Sequence, residues 1–248
     1  MLHLLDELTR DDLRALAPAA LAVLPVGATE QHGPHLPVGT DHFLVTHIAR
    51  AAAEAAGQLP VLVAPTLPFG SSHHHLPFGG TLSLATETYY RALADLVETL
   101  ILSGFRRIFI LNGHGGNSEL IQLVARDLAL KHEAQIGAAP YWTIAWESLV
   151  AAQAHVGAGL PGHAGRFETA LMLALRPELV REPRPHRDAP EGSSARGYSP
   201  YRAELHGAWQ RIDGYTDSPD RADARLGAEL RDLIVRDVAR ALAEFCGS

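Results

Sequence analysis

Two kinds of apolar pattern alternate along this chain. Short, nearly unbroken apolar runs cover residues 21–26, 60–65 and 107–111, and they stop at Gly27, Pro65 and Asn112. Runs of this length suit parallel strands that are covered on both faces. Between them, apolar residues recur at helical spacing. Residues 42–56 predict a helix stopped by Gly57, and residues 86–103 predict another, with Leu93, Leu96, Val97 and Leu100 on one side and Gly104 as its stop. A third helix is predicted over residues 118–132 and a fourth strand over 135–139, interrupted by Gly137. Further on come a helix over 166–175, a loop-rich stretch over 177–215 and a final helix over 221–245. This alternation predicts an α/β fold with a mostly parallel sheet and helices on both sides. Parallel crossovers gather the loops at the carboxyl ends of the strands along one sheet edge, where such folds bind ligands. Glu30, His32, His75 and His114 all fall in those loops.

The chain has 248 residues, 47% of them hydrophobic, enough for a full core, and no repeat or linker divides it. One domain over residues 1–248 is expected. The formal net charge is −7, with 21 basic and 28 acidic residues and no dense basic run beyond the proline-broken stretch 181–187, so nucleic acid is not an expected partner. No run approaches the ~18 apolar residues of a membrane span, and the start MLHLLDELTRDDL lacks the basic segment and long apolar core of a signal peptide. Cys246 is the single cysteine, which excludes a disulfide framework and a thiolate zinc site and fits a reducing cytoplasm.

The chemistry gathers in GATEQHGPHLPVGTDHF, residues 27–43, which holds Glu30, His32, His35, Asp41 and His42 directly after the first strand. Glu30 and His32 are two apart and point the same way in an extended segment. Carboxylates with imidazoles suit zinc, manganese or iron and leave positions open for water. Asp41 reads equally as a ligand or as the N-cap of the helix that follows, and Glu30 and His32 have a solvated-loop alternative. His114 stands between glycines in LNGHGGNSE, with no packing neighbour of its own, which favours a ligand. The turn lacks the Lys-Ser/Thr pair of a phosphate loop. In PGHAGRFETALMLAL, Glu168 shares a helix face with Leu171 and Leu175, where a carboxylate needs a partner such as a metal; the alternative is an acid favoured by the helix start. His163 precedes that helix. Of His73, His74 and His75, one or two can face the cleft, because consecutive residues cannot all point inward. No GxSxG elbow and no placed thiol offer a covalent nucleophile.

Through GATEQHGPHLPVGTD, SSHHHLPFGGTLSL, NGHGGNS and HAGRFETALML, the sequence resembles the creatininase (creatinine amidohydrolase) family over most of its length. The resemblance implies a three-layer α/β/α sandwich and two divalent ions, zinc paired with zinc, manganese or iron. It also implies a small-molecule substrate and a homo-oligomer, hexameric in several members. Glu30, Asp41 and His114 then look like the ligands of one ion, and His32, Asp41 and Glu168 those of the other, with Asp41 as the bridge. His163 resembles a proton-shuttling histidine, with Glu168 beside it in the catalytic group, and His75 a pocket-lining residue. Gly80 and Thr81 would shape the pocket floor. The family's reactions include opening of cyclic amides, removal of formyl groups and trimming of a modified peptide. The implied reaction is attack of a metal-bridging hydroxide on the carbonyl carbon of a non-peptide C–N bond in a small amide, cyclic or open-chain. A peptidase, a lactone or cyclic-ketone hydrolase, and a non-catalytic metal-binding protein are the alternatives. Two positions depart from the pattern. Gly116 stands where creatininases carry a metal-binding Glu, which Glu168 would replace, and Arg166 stands where many members are acidic, giving the pocket rim a positive group for an anionic substrate.

Overall fold

The computed structural model describes residues 1–155, 160–187 and 205–247. Five strands form one sheet: β1 (Leu2–Leu4), β2 (Leu21–Val26), β3 (Val61–Val63), β4 (Arg107–Asn112) and β5 (Gln135–Pro140). Their order is β1-β3-β2-β4-β5, with every pairing parallel. Every residue of β2 is buried, because the strand lies centrally between two helix layers. Leu21 and Val23 point into one apolar cluster while Ala22, Leu24 and Val26 point into the other, the period-two alternation of a strand covered twice. This is the three-layer α/β/α architecture.

One cluster is closed by α3 (Thr86–Leu102) and α4 (Ser118–Ala129), through Tyr89, Leu93, Val97, Ile121 and Val124. The other is closed by α2 (Thr40–Ala55), α7 (Arg166–Leu175) and α9 (Ala224–Gly247). α7 has Phe167 through Met172 all buried and lies against both α2 and α9. Its apolar surface therefore runs nearly all the way round rather than along one stripe, and Glu168 is drawn into the interior with it.

Some elements lie outside the apolar pattern. β1 at the sheet edge and α1 (Arg10–Leu16) fall in the mixed N-terminal stretch. α1 is opened by a capping box in which Thr9 and Asp12 satisfy each other's backbone N–H groups, and none of its residues is buried. Two short helices, α5 (Tyr141–Ile144) and α6 (Trp146–Ala151), follow β5. α2 begins two residues before the predicted start, with Gly39 at its N-cap, so Asp41 sits inside the first turn and is not the cap. Much of the predicted loop-rich stretch lies outside the described residues. Its described end carries α8 (Ala208–Arg211). Among the described residues, no helix is long and apolar enough to cross a membrane.

α7 and α9 meet backbone to backbone. A Cβ at Gly227 of α9 would collide with the Ala170 carbonyl of α7. Gly227→Ala must push the two helices apart, so we expect a loss of about 1–3 kcal/mol, read as a lowered urea midpoint at unchanged m-value. An unaltered midpoint would show that the contact carries no packing constraint.

Candidate metal centre

Four segments deliver the polar cluster. The loop after β2 supplies Glu30 and His32, the first turn of α2 supplies Asp41, the turn after β4 supplies His114, and the start of α7 supplies Glu168. The two loops are tied to one another. Asn112 accepts the His114 N–H at 3.0 Å, and Asn117 donates to the Gly27 carbonyl at 3.1 Å. Asn117 thus holds the β4 loop against the β2 loop, while Asn112 fixes the turn from within.

The Asp41 carboxylate divides between two groups of donors. Its Oδ1 lies 3.1 Å from His32 Nε2 and its Oδ2 lies 3.0 Å from His114 Nδ1. Glu30 Oε1 stands 3.2 Å from the same His114 nitrogen, and Glu168 Oε2 stands 3.8 Å from the same His32 nitrogen. Both Glu30 oxygens and Asp41 Oδ2 are buried with no aligned hydrogen bond. Buried carboxylate oxygens without partners are costly, and a divalent cation removes that cost.

The imidazoles are already oriented for cations. His32 Nδ1 is 3.0 Å from the Glu30 carbonyl, and His114 Nε2 is 3.2 Å from the Ser71 carbonyl. Carbonyls only accept, so each far nitrogen carries a hydrogen there, and each near nitrogen is the one turned to the carboxylates, where it offers a lone pair to a cation once its own proton is expelled. Glu168 is held by the Ala164 N–H, which donates to its Oε2 at 2.6 Å. The helix-start reading and the cluster reading of Glu168 therefore describe one placement.

Charge follows burial. Burial works against protonation of His32, but Asp41 and Glu168 outweigh it and raise that imidazole to about 10. His114 is likewise raised well above its ordinary value, burial being overcome by Glu30 and Asp41. Burial would raise Glu30, yet the His114 charge holds it well below the usual carboxylate range. Burial dominates at Glu168 and raises it to about 8. His163 is pushed well below its ordinary value by burial and by the charge of His32, so it is neutral. His75 is pushed down to about 3, burial exceeding the pull of Glu30.

A cavity of about 380 Å³ opens over the cluster, with Glu30, Asp41, His114 and Glu168 at its base. His74, His75, His163, Trp142, Pro161 and Trp209 form the walls. The Trp209 ring packs on His75 at 4.7 Å and on His163 at 5.2 Å, centroid to centroid. Of the three consecutive histidines, His73 turns away to Ser83 while His74 and His75 face the cavity. His35 points elsewhere, to Thr169 at 2.9 Å.

Three expected pocket residues are not on the cavity wall. Gly80 is exposed, and Thr81 stands behind the wall, where its hydroxyl accepts the Gln31 N–H at 3.1 Å. Arg166 opens α7, its N–H donating to Asp217 at 2.7 Å. Two positions from Glu168 turn a helix by about 200°, so a residue there cannot share its outlook. Gly116 leaves no space for a longer residue, since a Cβ would strike the Ser71 carbonyl and the His114 ring. Trp142 and Trp209 carry no sequence pattern beyond being two of the chain's 3 tryptophans. Gln31 carries no signal in the sequence, since an extended segment points it away from Glu30 and His32.

A parallel α/β sheet carrying two donor groups about one shared carboxylate defines the dinuclear-metal class of sites that activate water. Residues 6–242 match the family model described as creatininase, creatinine amidohydrolase. A mycofactocin precursor peptide peptidase of Mycobacterium ulcerans (strain Agy99) is 34% identical over 178 residues, 69% of this chain and 64% of the relative. A creatinine amidohydrolase of Pseudomonas putida is 34% identical over 186 residues, 68% of this chain and 69% of the relative. A solved structure of manganese creatininase has a TM-score of 0.80 at 29% identity, covering 97% of both chains. The chain belongs to the creatininase family.

The protonation pattern has a direct consequence. Metal-free at pH 7, His32, His114 and Glu168 hold protons that a cation must expel, so metal affinity rises with pH until those groups are deprotonated. Zinc added to the stripped protein in weakly buffered indicator at pH 7 should release about two to three protons per chain. Binding without acidification would contradict this charge assignment.

Proposed function

We propose that this chain is a metal-dependent amidohydrolase that cleaves the non-peptide C–N bond of a small, cyclic amide. The observation that carries the reading is the split Asp41 carboxylate, with Glu30 and His114 on one side and His32 and Glu168 on the other. Glu30, Asp41 and His114 would hold one divalent ion; His32, Asp41 and Glu168 would hold the second. Zinc and manganese suit this carboxylate and imidazole set. When bound, the pair supplies a Lewis acid for the carbonyl oxygen and a water acidified toward neutral pH.

The protein's own residues do the rest. His163, neutral and buried, directs Nδ1 toward the cluster, 3.6 Å from Glu30 Oε1. It takes a proton from the attacking water and returns it to the leaving nitrogen. Trp142 and Trp209 wall the cavity and keep bulk water from the reacting bond, and the volume of about 380 Å³ suits a small ring. Peptide trimming is the second reading, supported by the 34% identity shared with the mycobacterial peptidase. Self-association, hexameric as in several family members, is supported by Phe69, Leu76 and Leu82, which are 40–60% exposed around one shallow depression beside the site loops. A cytoplasmic setting is supported by the single free thiol.

Incubation of the zinc-loaded protein with panels of cyclic amides and short peptides, read by mass spectrometry, tests the reading. A ring amide should gain one water, and His163→Asn should lower kcat by roughly 10²–10⁴-fold with both ions retained. Cleavage of peptides with every ring amide untouched would transfer the assignment to a peptidase.

A further inference from the structure

Gln31 lies between two residues directed at the metal centre, yet its own side chain turns to the cavity wall. Its amide orientation is settled by two backbone groups. The Gly33 N–H, which can only donate, meets Oε1 at 2.9 Å, and the Gly214 carbonyl, which can only accept, meets Nε2 at 2.9 Å. The close approach requires glycine at position 214, where φ is +70° and a Cβ would stand 2.6 Å from Gln31 Oε1.

Two imidazole nitrogens share this amide. His75 Nδ1 lies 2.9 Å and His163 Nε2 lies 3.1 Å from Gln31 Nε2. His163 Nε2 also lies 2.9 Å from the backbone carbonyl of Gln31. That carbonyl can only accept, so His163 Nε2 carries a hydrogen and donates it there. Of the two amide hydrogens, one is committed to Gly214, and the other goes to His75 Nδ1, which must be the bare nitrogen. His75 therefore bears its hydrogen on Nε2, and His163 bears its lone pair on Nδ1. Each of those two atoms is 3.6 Å from Glu30 Oε1, facing the cavity. The rings stack with centroids 4.3 Å apart and planes 17° from parallel, so the two opposite functions sit side by side.

We infer that Gln31 is a positioning residue that sets the tautomers of both histidines, giving the site one donor, His75 Nε2–H, and one acceptor, His163 Nδ1. The donor hydrogen-bonds to the substrate oxygen as negative charge grows on it. At the acceptor, an O–H bond of water breaks as Nδ1–H forms, and that N–H breaks as the leaving nitrogen is protonated. His163 ends as it began. The contribution to turnover rests on the amidohydrolase reading; the hydrogen-bond pattern does not. Thr81, bound through its hydroxyl to the Gln31 N–H and to the His75 carbonyl at 3.1 and 3.4 Å, braces the same pair from behind.

Histidine nitrogen-15 NMR of the zinc-loaded protein reads the tautomers directly. His75 and His163 should both appear with hydrogen on Nε2. In Gln31→Leu, His75 should lose its fixed tautomer while His163, held by the main-chain carbonyl, keeps its own. With both ions retained, kcat should fall roughly tenfold or more, on any substrate the native protein turns over, with KM within about threefold. A native spectrum with His75 protonated on Nδ1 overturns the inference, as does a Gln31→Leu protein with His75 signals and kcat unchanged. The native spectrum decides the matter even if Gln31→Leu does not fold. Failure of the amidohydrolase reading would show differently, as no turnover by native protein with these tautomers in place.

Discussion

The Asp41 carboxylate, shared between His32 and His114, is the constraint on which the rest of the site depends. Each of its oxygens faces a different set of donors, and those donors come from segments far apart in the chain. A buried cluster of three carboxylates is tolerable only while positive charge lies among them. Protons on the imidazoles supply it in the metal-free chain, and divalent ions replace them. The sheet makes the arrangement possible, because parallel strands bring the loops after β2 and β4 to one edge, and α2 starts beside them. α7, buried on nearly every side, carries Glu168 to the same point.

The hydrogen bonds behind the donors matter as much as the donors. Backbone carbonyls of Glu30 and Ser71 hold the far nitrogens of His32 and His114, and the Gln31 amide and carbonyl hold His75 and His163. Every one of these partners is main chain or is itself pinned by main chain. Imidazoles held this way present a fixed atom to the centre and need no rearrangement when an ion or a substrate arrives. The water-activating apparatus thus stands on the loops after β2 and β4 and on the starts of α2 and α7, whereas Trp142 and Trp209 stand on the short helices α5 and α8. That division lets related chains share a centre while acting on different molecules.

The sequence made the framework legible wherever burial was two-sided. β2 and β4 read as unbroken apolar runs because both faces pack, and α3 and α7 matched their expected starts. β1 and α1 were missed for the opposite reason, one being an edge strand and the other exposed, so neither carries a clean period. At the site, Glu30, His32, Asp41, His114, His163 and Glu168 come together as residue type and loop position suggested. Gly80, Thr81 and Arg166 do not reach the cavity, since proximity in a motif says nothing about the direction of a side chain. Gln31 shows the converse. An extended segment points it away from Glu30 and His32, but Gly214, 183 residues distant in sequence, accepts its amide, which also lies against His75 and His163.

The measurement that bears most directly on the shared carboxylate is the metal content of zinc-loaded Asp41→Ala after dialysis, set beside Glu168→Gln. Loss of both ions from Asp41→Ala, with one retained by Glu168→Gln, is the predicted result. An Asp41→Ala protein that keeps even one ion at native affinity would contradict the account.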